Sequence, residues 1–282
     1  LRKADADIYV KASGPEGIVP FFCFFFNKKY VKWLTSDRNV ELKYVHGNTS
    51  MLSKLNSLLD IKLADIIVAQ NEYQKKTVLN NFKKKCVLIR NPVIIPDNKH
   101  IYKSKSNQKI ILWVGTIRNV KQPEIFLEVA RSFPNYKCVM IGSISFDEEG
   151  VFEKNQGEAA LIPNLEFINF VPHHKIHKYY EMASVLVNTS KVEGFPNTFL
   201  EAWSYYTPVI SLNANPNRVI SNKKLGFHSK NVKGLIKDVN ILLEDDNLRL
   251  EMGKKARSYV EQNHDVKIIS RKFAEMLASF NK

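Results

Sequence analysis

Short runs of aliphatic and β-branched residues recur along the chain, separated by stretches in which apolar residues return every third or fourth position. The runs are DIYVKA (7–12), KYVKWLT (29–35), DIIVAQ (65–70), CVLIRN (86–91), IILWVG (110–115), KCVMIG (137–142), LEFINFV (165–171), VLVNTS (185–190) and PVISL (208–212). Several are apolar at nearly every position, the pattern of strands covered on both faces. Between them lie amphipathic windows such as QPEIFLEVARSF (122–133), HKIHKYYEMA (174–183) and TFLEAWSYY (198–206), and the chain ends in helical segments at 232–244, 247–262 and 265–280. Strand–helix alternation of this kind predicts parallel sheets joined by crossover helices.

The pattern lapses once. PVIIPDNKHIYKSKSNQK (92–109) holds two prolines and then a polar, basic stretch without periodicity, as expected of a linker between domains. Four strand candidates precede it and five follow, so two α/β domains are expected, the first short for its class. One run breaks the pattern in the other direction. IVPFFCFFF (18–26) is apolar throughout, but it is too short to span a bilayer and contains Pro20. It reads as buried core, with a membrane-contacting face as the alternative.

Composition adds a charge. The 282 residues carry 42 Lys and Arg against 28 Asp and Glu, a net +14. That favours anionic partners: nucleic acid, anionic lipid or phosphorylated substrates. The basic residues come in short, scattered clusters such as Lys83-Lys84-Lys85, and neither an RNA-binding signature nor a zinc-finger spacing is present. Cys23, Cys86 and Cys138 form no CxxC pair, which points to a reducing compartment.

Two strand-to-helix junctions hold the candidate chemistry. In ILWVGTIRNVKQPEIFLEVA (111–130) a strand ends at Gly115, and a helix starts near Gln122-Pro123, where proline is well placed. Its first N–H groups lack helical partners and carry partial positive charge. Arg118 and Lys121 add two full charges beside them. This makes an anion site, and its spacing is neither G-x-G-x-x-G nor the Walker pattern. In KVEGFPNTFLEAW (191–203) a second strand leads through Gly194, which permits close backbone approach, to a helix start at Pro196-Asn197. Glu193 and Glu201 flank that start. A carboxylate facing a bound phosphate would repel it, so the two acids are expected to turn away from phosphates and accept hydrogen bonds from hydroxyls. A nucleotide-sugar has the matching layout, with hydroxyls on either side of a diphosphate.

Taken together these elements resemble the glycogen-synthase-like "glycosyl transferases group 1" family of retaining transferases. The family's E-x7-E motif stands as Glu193 and Glu201 in EGFPNTFLEA, and its VGxxxxxK loop as Val114-Gly115 through Lys121. VMIGS (139–143), LEFINFVPHHKIHKYYEMASVLVNTS (165–190) and TPVI (207–210) resemble neighbouring family elements in order, and LADIIVAQNEYQKKTVL (63–79) with VLIRNPV (87–93) resembles the end of the acceptor domain. The resemblance implies a GT-B fold: two Rossmann-like α/β domains whose parallel sheets face each other across a cleft. It divides the chain into a partial acceptor-side domain (1–98), a linker (99–109), a donor domain (110–264) and a C-terminal helix (265–282) that packs back on the first domain. The family's opening Gly-rich loop and first strands have no counterpart, so the N-terminal domain is expected to be incomplete.

By the same resemblance Gly115, Arg118 and Lys121 bind the donor diphosphate, and Glu193 contacts the donor sugar. Gly194, Phe195, Pro196, Asn197 and Thr198 line sugar and phosphates, partly through backbone groups. Glu201 takes the ribose hydroxyls, and Phe170, Val171, Pro172 and Ile176 frame the base. Thr116 stands where many relatives carry Arg, and Arg118 is the expected substitute. His46 is a catalytic candidate at the cleft, with a purely structural histidine as the alternative. The implied reaction moves a hexosyl-type group from a nucleotide-diphosphate sugar to an acceptor hydroxyl with retention, in surface polysaccharide or glycan synthesis. The acceptor is a glycan or lipid-linked glycan, no cofactor or metal is required, and no nucleic acid takes part. The expected location is cytoplasmic, peripheral at the inner face of an anionic plasma membrane. Alternatives are an inactive nucleotide-sugar-binding fragment, a basic nucleic-acid-binding protein, and a two-carboxylate glycoside hydrolase. A metal-using transferase is disfavoured because Asp5-Ala6-Asp7 precedes a strand rather than ending one.

Overall fold

The computed structural model describes residues 1, 3–12, 17–41, 51–97 and 109–281. Their contacts divide the chain into two units, residues 1–92 with 267–282, and residues 93–266.

The first unit contains β1 (Ile8–Lys11), α1 (Ile18–Phe25), β2 (Lys29–Trp33), α2 (Met51–Lys62), β3 (Ile66–Ala69), α3 (Glu72–Phe82) and β4 (Cys86–Leu88). The four strands form a parallel sheet in the order β1-β2-β3-β4. Period-2 alternation sends their side chains to opposite faces. Tyr9, Tyr30 and Ile67 enter a core with Cys23, Ile61 and Val78. Val31, Val68 and Ile89 face the other way and meet Ile269 and Met276. Those two residues belong to α11 (Val266–Ala278), so the second face is covered by a helix about 180 residues further along the chain than β4. Register places Lys11 opposite Lys32, a like-charge pair that would be costly alone. Asp60 of α2 lies between them, 2.5 Å from the first ammonium and 3.3 Å from the second.

The run 18–26 departs from expectation. It is helical, with Pro20 in the first turn where its missing N–H costs nothing, but it is not core. Only Pro20 and Cys23 are buried; Ile18, Phe24 and Phe25 are 59%, 69% and 75% exposed. A helix apolar on all sides can bury only the stripe that meets its sheet. Among the described residues no helix is long and apolar enough to cross a membrane.

The second unit contains β5 (Ile110–Thr116), α4 (Pro123–Ser132), β6 (Lys137–Ser143), α5 (Glu149–Ala159), β7 (Leu165–Ile168), α6 (His173–Met182), β8 (Val185–Asn188), α7 (Asn197–Ser204), β9 (Val209–Ser211), α8 (Val219–Lys223), β10 (Gly226–His228), α9 (Val232–Glu244) and α10 (Asp246–Asn263). Its parallel sheet runs β10-β9-β8-β5-β6-β7. Both faces are packed, which is why its strands read as continuous apolar runs. Ile111, Trp113, Met140, Val185 and Val187 join Phe126, Leu127, Leu235 and Val239. Leu112, Val139, Ile141 and Leu186 join Phe199, Trp203, Ala256 and Val260. Both central strands, β5 and β8, lie beside the middle of the sheet, so the loops leaving their carboxyl ends emerge together, where open α/β sheets bind ligands.

Candidate functional site

The loop after β5 is shaped by close packing. Gly115 pairs with Gly142 of β6, and Ile117, fully buried, lies over Gly142 so closely that a Cβ there would come within 2.3 Å of its Cδ1. Ile117 N–H donates to the Ser143 carbonyl at 2.9 Å. The chain then makes a short turn at Asn119–Lys121, and Gln122 adopts a left-handed conformation (φ 47°) that starts α4 at Pro123. The residues preceding these helix starts, Gln122 before α4 and Pro196 before α7, make no side-chain capping bond. First-turn N–H groups of this sort favour anions.

The loop after β8 is pinned to the same turn. Thr189 Oγ1 donates to the Lys121 carbonyl at 2.6 Å and accepts from Trp113 Nε1 at 2.9 Å. Lys191 N–H donates to the Val120 carbonyl at 2.8 Å. These bonds bring Lys121 onto Glu193, and the ammonium donates directly to the Glu193 carboxylate. Both side chains are largely enclosed. Glu193 therefore does not turn away from the diphosphate candidates. Lys121 takes the Glu193 carboxylate, and a phosphate at this turn must compete for the ammonium.

Arg118 is three residues from Lys121 but pairs elsewhere. Its Nη2 lies 2.9 Å from Asp147 and its Nε 3.3 Å from Glu148, both in the β6–α5 loop. Glu148 also accepts from Asn119 N–H at 2.6 Å, and Asp147 accepts from Ser145 Oγ at 2.5 Å. Both carboxyls are held below their ordinary range: Asp147 by the Ser145 hydroxyl first and then by its own N–H and Arg118, Glu148 by the Asn119 N–H and then Arg118.

Glu201, one turn into α7, is held by α6. Tyr180 O–H donates to one carboxylate oxygen at 2.6 Å, and His173 Nε2 lies 3.1 Å from the other. Burial, then the Glu201 charge, pushes the Tyr180 phenol well above its usual value. The two glutamates are thus tied to different elements. Val171 and Ile176 pack against the core beside α6, and Phe170 is exposed. The ring of Phe195 does not line the surface. It is 5% exposed and packs on Trp203 and His264, at centroid distances of 6.3 and 4.9 Å. A ligand could meet only its backbone. His46 lies outside the described residues. Among the described residues no cluster of three or more His, Cys, Asp or Glu could hold a metal ion, His173, His174 and His177 included.

The profile of the family described as "Glycosyl transferases group 1" matches residues 95–259, more than half of the chain. The chain belongs to this family. A glycosyltransferase of Haemophilus influenzae, itself uncharacterized, is 28% identical over 230 residues, covering 78% of this chain and 63% of its own. A Campylobacter jejuni α-1,4-N-acetyl-D-galactosaminyltransferase, named for an undecaprenyl-diphosphate-linked glycan, is 25% identical, covering 64% of this chain and 52% of its own. The chain therefore spans less than two thirds of these relatives. Among solved structures, Anabaena HepE in complex with UDP and glucose superimposes with a TM-score of 0.82 at 16% identity, covering 99% of this chain and 79% of HepE. At that identity the likeness speaks for the fold alone, the GT-B α/β class expected from the sequence.

Measured against the family motifs, Tyr180, Asp147 and Glu148 went unnamed in the sequence reading, and His173 carried no expected role in donor binding. A signal existed for two of them. Residues 173, 177 and 180 share one stripe of a 3.6-residue helix, and that stripe faces α7: His177 and Tyr180 both stack on Tyr205. Asp147 and Glu148 had none, because only the β5–β6 pairing brings their loop beside Arg118.

Proposed function

We propose that the protein is a glycosyltransferase that moves a hexosyl-type group from a nucleotide-diphosphate sugar to an acceptor hydroxyl, with retention at the anomeric carbon. The observation that carries this reading is Lys121 meeting Glu193 at the carboxyl edge of the parallel sheet, with Arg118 and the starts of α4 and α7 beside them. As the bond between anomeric carbon and diphosphate breaks, negative charge grows on the leaving oxygen. Preorganised cations and N–H groups stabilise that charge more in the transition state than in the ground state. Lys121 is one such cation, and Arg118 a second. Glu193, released from Lys121, accepts from a donor-sugar hydroxyl. Glu201, already oriented by Tyr180, accepts from the ribose, and Val171, Pro172 and Ile176 flank the base. Gly115 and the backbone of Gly194 to Thr198 meet the phosphates and sugar.

In this reading the cations answer the diphosphate charge, so turnover is independent of a divalent ion and survives EDTA. The acceptor is a glycan or lipid-linked glycan. The Campylobacter relative, named for such an acceptor, supports this, and the net charge of +14 fits a cytoplasmic enzyme at an anionic membrane face. The test is titration with UDP-, GDP- and ADP-sugars followed by transfer assays. Binding of one class, weakened by Lys121→Ala, supports the reading. Absence of binding to every nucleotide-sugar tried would overturn it.

A further inference from the structure

Asp147 and Glu148 hold the Arg118 guanidinium by one edge and leave the other to an anion. We propose that these two acids are positioning residues for the donor diphosphate, an inference that rests on the glycosyltransferase reading above.

The guanidinium has five N–H donors in a planar fork. Its Nε edge is occupied, with Glu148 at 3.3 Å from Nε and Asp147 at 2.9 Å from Nη2. Among the described residues, neither Nη1–H donates to a protein acceptor. The Nη1–Nη2 edge is thus available, and this is the geometry that takes a phosphate through two parallel bonds. The side chain is 40% exposed, so without the clamp it would sample many rotamers. Glu148 also reaches past Arg118 to the Asn119 N–H at 2.6 Å, which fastens the backbone of the turn carrying Lys121. Ser145, donating to Asp147 at 2.5 Å, steadies the second acid in turn.

Lys121 and Arg118 therefore differ in kind. Lys121 presents a single point charge, and Glu193 sits on it, so that acid competes with phosphate. Arg118 presents two edges, and its acids occupy the one a phosphate does not need. Two nearby carboxylates would ordinarily lower affinity for an anion by repulsion. The clamp predicts the opposite sign, because ordering a long side chain before binding removes a cost that binding would otherwise bear.

The test titrates UDP, GDP and ADP into the full chain, then carries the tightest forward beside its nucleoside. Glu148→Gln and Asp147→Asn should each weaken nucleoside-diphosphate binding about three- to tenfold, the value of ordering one such side chain. Binding of the nucleoside should stay unchanged, and thermal unfolding of each variant confirms that it folds. In an Arg118→Ala background neither substitution should weaken the diphosphate further. Tighter or unchanged binding overturns the proposal, as does equal loss for nucleoside and diphosphate or an undiminished loss without Arg118. If Lys121→Ala weakens diphosphate binding while the acid variants do not, only the clamp falls. If no nucleotide binds the unaltered chain, the glycosyltransferase reading falls with it.

Discussion

Replacing either partner of the Lys121–Glu193 pair should move nucleotide affinity in opposite directions. The side chains are 28% and 14% exposed. Two unit charges in contact attract by about 4 kcal/mol at an effective dielectric near 20, and desolvation cancels most of that, leaving roughly 1 kcal/mol net for a partly enclosed pair. A diphosphate must overcome this attraction and must also accept Glu193 as a neighbour. Glu193→Gln removes both obstacles, so the tightest-binding of UDP, GDP and ADP, which lacks the sugar Glu193 would hold, should bind about fivefold more tightly. Lys121→Ala removes a charged donor worth about 1.5–3 kcal/mol, so the same nucleoside diphosphate should bind about 10- to 150-fold more weakly. Glycosyl transfer should fall in both variants, by about 10²–10³ in kcat for Lys121→Ala. Isothermal titration at one fixed ionic strength measures the affinities. Weaker binding of that nucleoside diphosphate by Glu193→Gln, or unaltered binding by Lys121→Ala, would refute the assignment of the pair to the diphosphate.

Three further outcomes are expected. Tyr180→Phe deletes the 2.6 Å bond to Glu201 from a fully buried ring; because Glu201 keeps some access to water, urea denaturation should show a loss of about 1–2 kcal/mol, and nucleoside affinity should fall with it. The Asp147 and Glu148 carboxyls are depressed in the folded chain, so the stability they contribute is complete above the unfolded carboxyl values near 4 and is lost as pH falls through the folded ones. Urea midpoints of the native chain and of Asp147→Asn/Glu148→Gln should differ by a constant amount from pH 8 to about pH 5 and converge below pH 4. Phe24→Ser and Phe25→Ser, at 69% and 75% exposure, should each change stability by no more than about 0.5 kcal/mol, whereas a core reading of that run would predict losses of several kcal/mol on the same denaturation curve.

How much of this was readable beforehand depended on whether the evidence lay along the chain or across it. β5, β6 and β8 were legible because burial on both faces writes an unbroken apolar run. α9 and α10 were legible because burial on one face writes a 3.6-residue period. β10 was not: Gly226-Phe227-His228 is three residues long and pairs only at an edge, too short for any period. The run at 18–26 misled because apolarity records what a segment could bury, and says nothing of how much neighbouring surface is there to bury it against. At the site, spacing singled out the glutamates and Lys121, but not the side chains they pair with. Glu193 was expected to avoid the diphosphate loop, and the bonds from Thr189 and Lys191 bring it there. Arg118 and its two acids are separated by about 30 residues and meet only through sheet register.

The covering of the first sheet by α11 has a consequence for synthesis on the ribosome. Val31, Val68 and Ile89 are made early, yet the residues that shield them, Ile269 and Met276, come after the whole second unit has been translated. At roughly 5–20 residues per second, some 175 residues separate Pro92 from Lys267, so that apolar face waits on the order of 10–35 seconds for its lid. The later-made unit can finish folding first, and a nascent chain stalled near residue 260 would carry a sticky, half-dressed sheet, the state a holdase chaperone is built to intercept.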